Sequence, residues 1–484
     1  MNREVKIGPF VRALVLLQAV LTAGVVTWAC ANDQAIYAAV GMVTLLIMIS
    51  PFLIIKKYDL FCPWTFALLA VGILATPQAV CTSFNFPSAE SIDQMMLLGK
   101  DPEYFLYPAI VYLLGWACLT FGYFGFQNLS VRSVKISRDF SKKNATIVLG
   151  LSLLVSLVAT AAYMQVTGGG SSSKISSKRT TIETLDVGAS DQRQHGYLRY
   201  FGKLSAVSFL VVYSYLLTRR KKLSILETSV VMIAFVSACV FPFYSSSRAQ
   251  VCWVILYGLG INYYLRPNNF RTKVVVVGLL GMALFISMSF LRGSERSEAI
   301  ENASLSASFE KVVLNRNGPG FSKTAQIINH IPEPLDFQLG KTLAVWFLAP
   351  IPRELYPDKP LIHTGPIIGT TIYSTRVSGV PPGLIAELYW NFHIPGVIFG
   401  MFLMGFSMNR IYSHFRSYDL SPGIVVPVYL FAVTPVMFKA LSNSLGVGVV
   451  MQSLDLFTIV TVIFFCTQPV AFLRSSNELQ TLPA

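Results

Sequence analysis

The sequence predicts an all-α, polytopic membrane protein with about 12 transmembrane helices and a large helical loop on the non-cytoplasmic side. Three observations carry that prediction. Apolar residues make up 53% of the 484-residue chain and charged residues only 13%, about half the charged share of a soluble globular protein. The apolar stretches run unbroken for roughly 17–22 residues, the length a helix needs to cross a bilayer. They lack the two-residue alternation of barrel strands, which leaves helices as the way to satisfy every backbone group in lipid.

Along the chain, spans are expected at 11–30, 35–55, 61–80, 105–126, 145–167, 200–218, 226–244, 249–265, 273–290, 390–409, 422–438 and 448–470. The first follows Arg3, Lys6 and Arg12, like the basic head of a signal peptide. Its apolar run exceeds the ~7–15 residues of a cleaved signal, so it reads as an uncleaved anchor. Lys and Arg concentrate in alternate short loops: Lys56 and Lys57; Arg132, Lys135, Arg138, Lys142 and Lys143; Arg219, Arg220, Lys221 and Lys222; Arg266, Arg271 and Lys273; Arg410 and Arg416. The positive-inside rule makes those loops, and both termini, cytoplasmic. The loop at 168–203 breaks the pattern, because it falls outside yet carries Lys174, Lys178, Arg179, Arg193, Arg199 and Lys203. An anion bound there would account for it.

A second outer loop covers about 291–389. Loops this long are usually functional or disordered, and this one is too apolar for disorder. Phe309, Val312, Val313 and Leu314 precede a break at Asn317-Gly318-Pro319-Gly320, and Phe321, Ala325, Ile327 and Ile328 follow with helical spacing. Trp346 and Phe347 come next. The expectation is a small helical cap lying on the outer membrane surface.

The net charge of +14 does not indicate nucleic-acid binding, since the cations lie between apolar spans rather than in one basic domain. The seven cysteines, Cys30, Cys62, Cys81, Cys118, Cys239, Cys252 and Cys466, show neither zinc nor disulfide spacing and read as small packing residues. His195 and His330 lack metal-ligand partners at a usual spacing.

Polar chemistry crowds into two clusters. In the first, Pro350 to Pro360, four prolines in eleven residues preclude a regular helix. Such a stiff loop displays Arg353, Asp358 and Lys359 in fixed directions, with His363 close behind. A guanidinium and an ammonium held rigidly suit a phosphate or diphosphate; a solvated turn with an internal ion pair is the alternative. The second cluster, Pro381 to Gly396, holds Glu387 in apolar company. Counting about twenty residues back from Arg410 puts the outer boundary near Trp390 and Glu387 at the rim. Ionisable groups there are functional candidates, although a structural Glu paired with a loop arginine fits equally. In a continuous helix Glu387 and Asn391 share a face; otherwise Pro395 starts a new helix. Arg248, Arg292, Arg296 and Arg316 are expected on the same side, each also readable as a snorkelling surface residue. Asp455 lies within the last span, nearly alone at its depth. It reads as a proton site or as the partner of an interior arginine.

The run Pro352-Arg353-Glu354-Leu355-Tyr356-Pro357-Asp358-Lys359-Pro360, the run from Gly383 to Gly396 and the turn Ser245-Ser246-Ser247-Arg248 resemble the oligosaccharide repeat-unit polymerases of the Wzy type, the O-antigen and exopolysaccharide polymerases. The match is specific over about 350–400; elsewhere it rests on span count and loop layout. His393 departs from it, standing where a second glycine of an Asn-Phe-Gly run is expected. The resemblance implies a membrane-glycosyltransferase-like architecture in the bacterial inner membrane. Its regions are 1–290, with the first nine spans and the loop at 168–203; 291–389, a periplasmic catalytic loop; and 390–484, with the last three spans and a cytoplasmic C-terminus. It further implies transfer of a growing glycan from undecaprenyl diphosphate onto a new lipid-linked unit, with no cofactor, nucleotide sugar or obligatory metal. A chain-length regulator and a flippase are the protein partners it raises.

The residues are compatible with that chemistry. Arg248, Arg292, Arg316, Arg353 and Lys359 are suited to the charge of a leaving diphosphate. Glu387, Asp358 and His363, in that order, are the candidate general bases, and Tyr356, Tyr389 and Asn391 the candidate sugar contacts. A ligase using the same lipid and a multi-span transporter of lipid-linked sugars are the alternatives.

Overall fold

The computed structural model describes residues 4–84, 103–126, 138–166, 196–219, 224–244, 248–266, 319–348, 351, 355–356, 364–373, 380–417 and 422–469. Among the described residues ten helices are long and apolar enough to cross a membrane, and Ala249–Leu265 is a shorter apolar helix. Every expected span except 273–290, which lies outside the described residues, therefore has a helix in its place. The chain is an all-α polytopic membrane protein.

The chain runs β1 (Val5–Lys6), α1 (Pro9–Ala29), α2 (Ile36–Ile49), β2 (Lys57–Tyr58), α3 (Pro63–Leu69), α4 (Thr76–Ser83), α5 (Glu103–Phe124), β3 (Arg138–Phe140), α6 (Lys142–Val166), α7 (Gly196–Gly202), α8 (Leu204–Thr218), α9 (Ile225–Tyr244), α10 (Arg248–Leu265), α11 (Phe321–Asn329), α12 (Lys341–Ala344), α13 (Gly365–Thr371), α14 (Leu384–Ser417), α15 (Pro422–Val428), α16 (Thr434–Ser442), α17 (Leu445–Cys466) and β4 (Thr467–Pro469). The short strands pair as β1 with β2 and β3 with β4, both antiparallel.

Proline shapes two of the spans. A π segment, Ala70–Ala75, joins α3 to α4, and another, Tyr429–Val433, joins α15 to α16. Pro77 and Pro435 follow them. A proline has no N–H to donate, and its ring crowds the carbonyl four residues earlier. The Phe431 carbonyl, four residues before Pro435, instead accepts from Gln452 Nε2 at 2.6 Å.

Helices α5 and α14 pack against each other through bare backbone. A Cβ at Gly122 would meet the Phe402 carbonyl oxygen, and one at Gly405 the Leu119 carbonyl oxygen. Small residues permit such close approach between membrane helices, where dispersion and not hydrophobicity drives association.

One end of the bundle is tied together at Asp59, which is buried in the turn before α3. Its Oδ1 accepts from the Phe61 N–H (3.0 Å), and its Oδ2 accepts from the Tyr264 (2.8 Å) and Tyr412 (2.7 Å) hydroxyls. Tyr429 donates to the Phe61 carbonyl at 2.6 Å. Burial pushes the Asp59 carboxyl above its ordinary pKa, while the three hydrogen bonds and Arg416 hold it down. Alongside, Arg416 pairs with Glu4 at 2.8 Å.

Two expectations are corrected. Helix α11 is not laid on a surface: every residue from Phe321 to Ile328 is buried, and the helix packs against α2, α5 and α14. Tyr112 of α5 donates to the Pro319 carbonyl at its start (2.6 Å). Helix α14 begins at Leu384, not near 390, so the division drawn at 389 cuts through its second turn. Of the two readings of Pro395 the second holds: Phe392 (φ −141°, ψ 19°) and His393 (φ 56°, ψ −150°) leave the helical region, so α14 is a short helix up to Asn391 and a second helix that runs on through Pro395.

Candidate functional site

At the end of the bundle opposite Asp59, the chain approaches α14 without regular secondary structure and turns at Gly383. Its φ of +77° suits glycine, which has no Cβ to clash. The Gly383 N–H donates to the Asn443 carbonyl (2.8 Å), which fixes the start of α14 beside the turn between α16 and α17.

That contact sets Glu387, one turn on, against the N-terminus of α17. Glu387 is 0% exposed, and its Oε2 accepts from the Leu445 N–H at 2.6 Å. The first N–H groups of a helix lack partners within it and favour negative charge, so the carboxylate caps α17 from a neighbouring helix. Oε1 has no hydrogen-bond partner among the described residues. Glu387 is thus paired, among the described residues, with a helix terminus and sits inside the helix packing, while the loop arginines lie outside those residues. Close by, Trp346 lies against Gly446 so tightly that a Cβ there would enter the indole ring.

Asn391 and Trp390 pin the segment that precedes Trp346. Asn391 Oδ1 accepts from the Gly340 N–H (2.9 Å), and its Nδ2 donates to Thr342 Oγ1 (2.6 Å) and to the Glu387 carbonyl (2.7 Å). Trp390 Nε1 donates to the Asp336 carbonyl (2.9 Å). The Asn391 amide is therefore engaged within the protein and holds the loop in place.

The break at Phe392–His393 turns His393 toward α5. Tyr107 OH lies 3.0 Å from Tyr389 OH and 3.2 Å from His393 Nε2, and the His393 ring stands 4.7 Å from that of Tyr389. The backbone of His393 occupies a region that is essentially restricted to glycine and costs a larger residue about 1–3 kcal/mol. The glycine expected there on resemblance fits that conformation. His393→Gly is expected to raise the unfolding temperature in detergent, despite losing its ring contacts. A fall in that temperature would show that the ring contacts outweigh the strain.

Of the remaining expected site residues, Tyr356 is partly exposed and Arg248 is the first residue of α10. Arg292, Arg316, Arg353, Asp358, Lys359 and His363 lie outside the described residues. Among those described, no group of three or more His, Cys, Asp or Glu could hold a metal ion. Asp455 is neither alone nor paired with an arginine there, since it lies 3.6 Å from Lys203 and 3.8 Å from Lys439. Sequence reasoning missed Tyr107 and Thr342, and it named Trp346 only within the expected cap and Lys203 only among the cations of the outer loop, because these residues come from distant segments with no shared motif.

Compared with protein-family models, curated proteins and solved structures, the chain matches none.

Proposed function

We propose that this protein polymerises oligosaccharide units linked to undecaprenyl diphosphate at the periplasmic face of the bacterial inner membrane. The observation that carries the reading is Glu387, a buried carboxylate with one oxygen fixed on the α17 terminus and the other without a partner among the described residues. Oε1 accepts the proton of the acceptor hydroxyl. The hydroxyl oxygen bonds to the anomeric carbon of the growing glycan, and the bond from that carbon to the lipid diphosphate breaks. The negative charge left on the diphosphate is met by Arg353 and Lys359 of the proline-stiffened loop, with Arg248, Arg292 and Arg316. Tyr389 and Tyr356 contact sugar, while Asn391 positions the loop.

The test is the length distribution of lipid-linked glycan in cells with and without the protein, repeat-unit synthesis being otherwise intact. A ladder with it and single units without it support polymerisation. A ladder that persists without it but fails to reach its final acceptor supports a ligase. Arg353→Ala is expected to lose the ladder and Arg353→Lys to recover little of it, because a point charge replaces a bidentate fork. Full activity of Arg353→Lys would remove Arg353 from the diphosphate site.

A second reading, transport of lipid-linked sugars, is favoured by the charged cluster at Asp455, since transporters place ionisable groups within the membrane. Units that never reach the outer face in the protein's absence would support it.

A further inference from the structure

The cluster around Asp455 joins three segments of the chain. The two Asp455 oxygens face different ammonium groups, Oδ1 that of Lys203 and Oδ2 that of Lys439. Lys203 occupies the joint between α7 and α8, and Lys439 stands about one turn before the end of α16. Lys439 is held in place, since its Nζ donates to Gln452 Oε1 at 2.6 Å, and Gln452 Nε2 in turn donates to the Phe431 carbonyl. Beside them Tyr200 donates to the Leu454 carbonyl at 2.9 Å and so clamps α7 onto α17.

The charges do not balance. Two ammonium groups meet one carboxylate, which leaves one positive charge in excess among the described residues. Uncompensated charge within a membrane span is costly and marks a functional position. Both ion pairs are longer than the ~2.7–2.9 Å of a tight charge-assisted bond. Each ammonium has three N–H donors, of which these contacts engage one on Lys203 and two on Lys439. Neither lysine is sealed: the side chains are 31% and 25% exposed.

We propose that Lys203 and Lys439 form a binding site for the phosphate-bearing head of a lipid. Phosphate supplies several acceptor oxygens and the negative charge the pair lacks. The ligand is carried by a lipid because the lysines lie on helices long and apolar enough to span a membrane, with Lys439 a turn from the end of its helix, where a headgroup would lie. The choice of a polyprenyl diphosphate as that lipid rests on the proposed function; the anion site rests on the lysines alone.

The experiment uses the full chain purified in neutral detergent and titrated with farnesyl diphosphate, farnesol and inorganic diphosphate, with thermal unfolding as the readout. Farnesyl diphosphate is expected to stabilise the protein, farnesol not, and inorganic diphosphate only at far higher concentration. Lys439→Met should weaken farnesyl diphosphate binding about tenfold or more, as loss of a charge-assisted contact does, and Asp455→Asn should tighten it. Where Lys439→Met does not fold, the partly exposed Lys203→Met serves instead. Binding unchanged by the lysine substitutions, or equal binding of farnesol, overturns the proposal, and equal binding of inorganic diphosphate overturns its lipid part. The glycan ladder is read separately. Farnesyl diphosphate binding that depends on the two lysines, without a ladder, defeats the polymerase reading and leaves this site standing, and a ladder with binding that the lysine substitutions leave unchanged does the reverse.

Discussion

Glu387→Gln is expected to leave the protein inserted and folded while the ladder of lipid-linked glycan disappears. The carboxylate has two tasks, and the substitution separates them. Its Oε2 caps the Leu445 N–H of α17, and a glutamine carbonyl oxygen accepts the same bond. What the cap loses is charge next to a helix N-terminus, worth about 0.3–1 kcal/mol. What the site loses is the only part of the residue able to take a proton. General-base catalysis contributes about 10²–10⁴-fold, enough to erase the ladder. Because Glu387 is 0% exposed, an acceptor hydroxyl reaches Oε1 only when the packing around the carboxylate opens. Glu387→Ala is therefore the poorer experiment, since it removes the cap and leaves a cavity as well. Ladders of normal length in a folded Glu387→Gln protein would rule the residue out as base and reduce it to a cap.

Gly405→Leu is expected to prevent the fold from forming. At this position a Cβ would meet the Leu119 carbonyl oxygen and approach the Tyr123 nitrogen at 2.9 Å. Both are backbone atoms of α5, which cannot rotate aside as a side chain can. The helices must separate, and the paired contact at Gly122, against the Phe402 backbone, is lost with them. Overpacking costs about 1–3 kcal/mol and occasionally more. Here the cost falls on the contact that carries Tyr107 and Tyr389 to one another. Gly150→Leu is the control, because a Cβ there meets nothing within 4 Å. The recovery of monodisperse protein after detergent extraction should be far lower for Gly405→Leu than for Gly150→Leu. Equal recovery would show that α5 and α14 do not approach as described.

The helical membrane class and the approximate place of each described span were legible in the sequence, because the length and apolarity that a bilayer demands are properties of one continuous segment. The sequence also offered a break at Pro395 as one of two readings and singled out Glu387 as an ionisable residue in apolar company, for the same local reasons. It placed the start of α14 six residues late and laid α11 on a surface, since burial depends on neighbours and not on periodicity. What meets what came from the packing of the helices. It set Glu387 on the terminus of a helix that begins 58 residues later, engaged the Asn391 amide with Gly340 and Thr342, and gathered Lys203 and Lys439 around Asp455. Each of those contacts joins different elements of the chain. Their energy comes from satisfying polar groups where water is absent, and that condition exists only once the helices have packed.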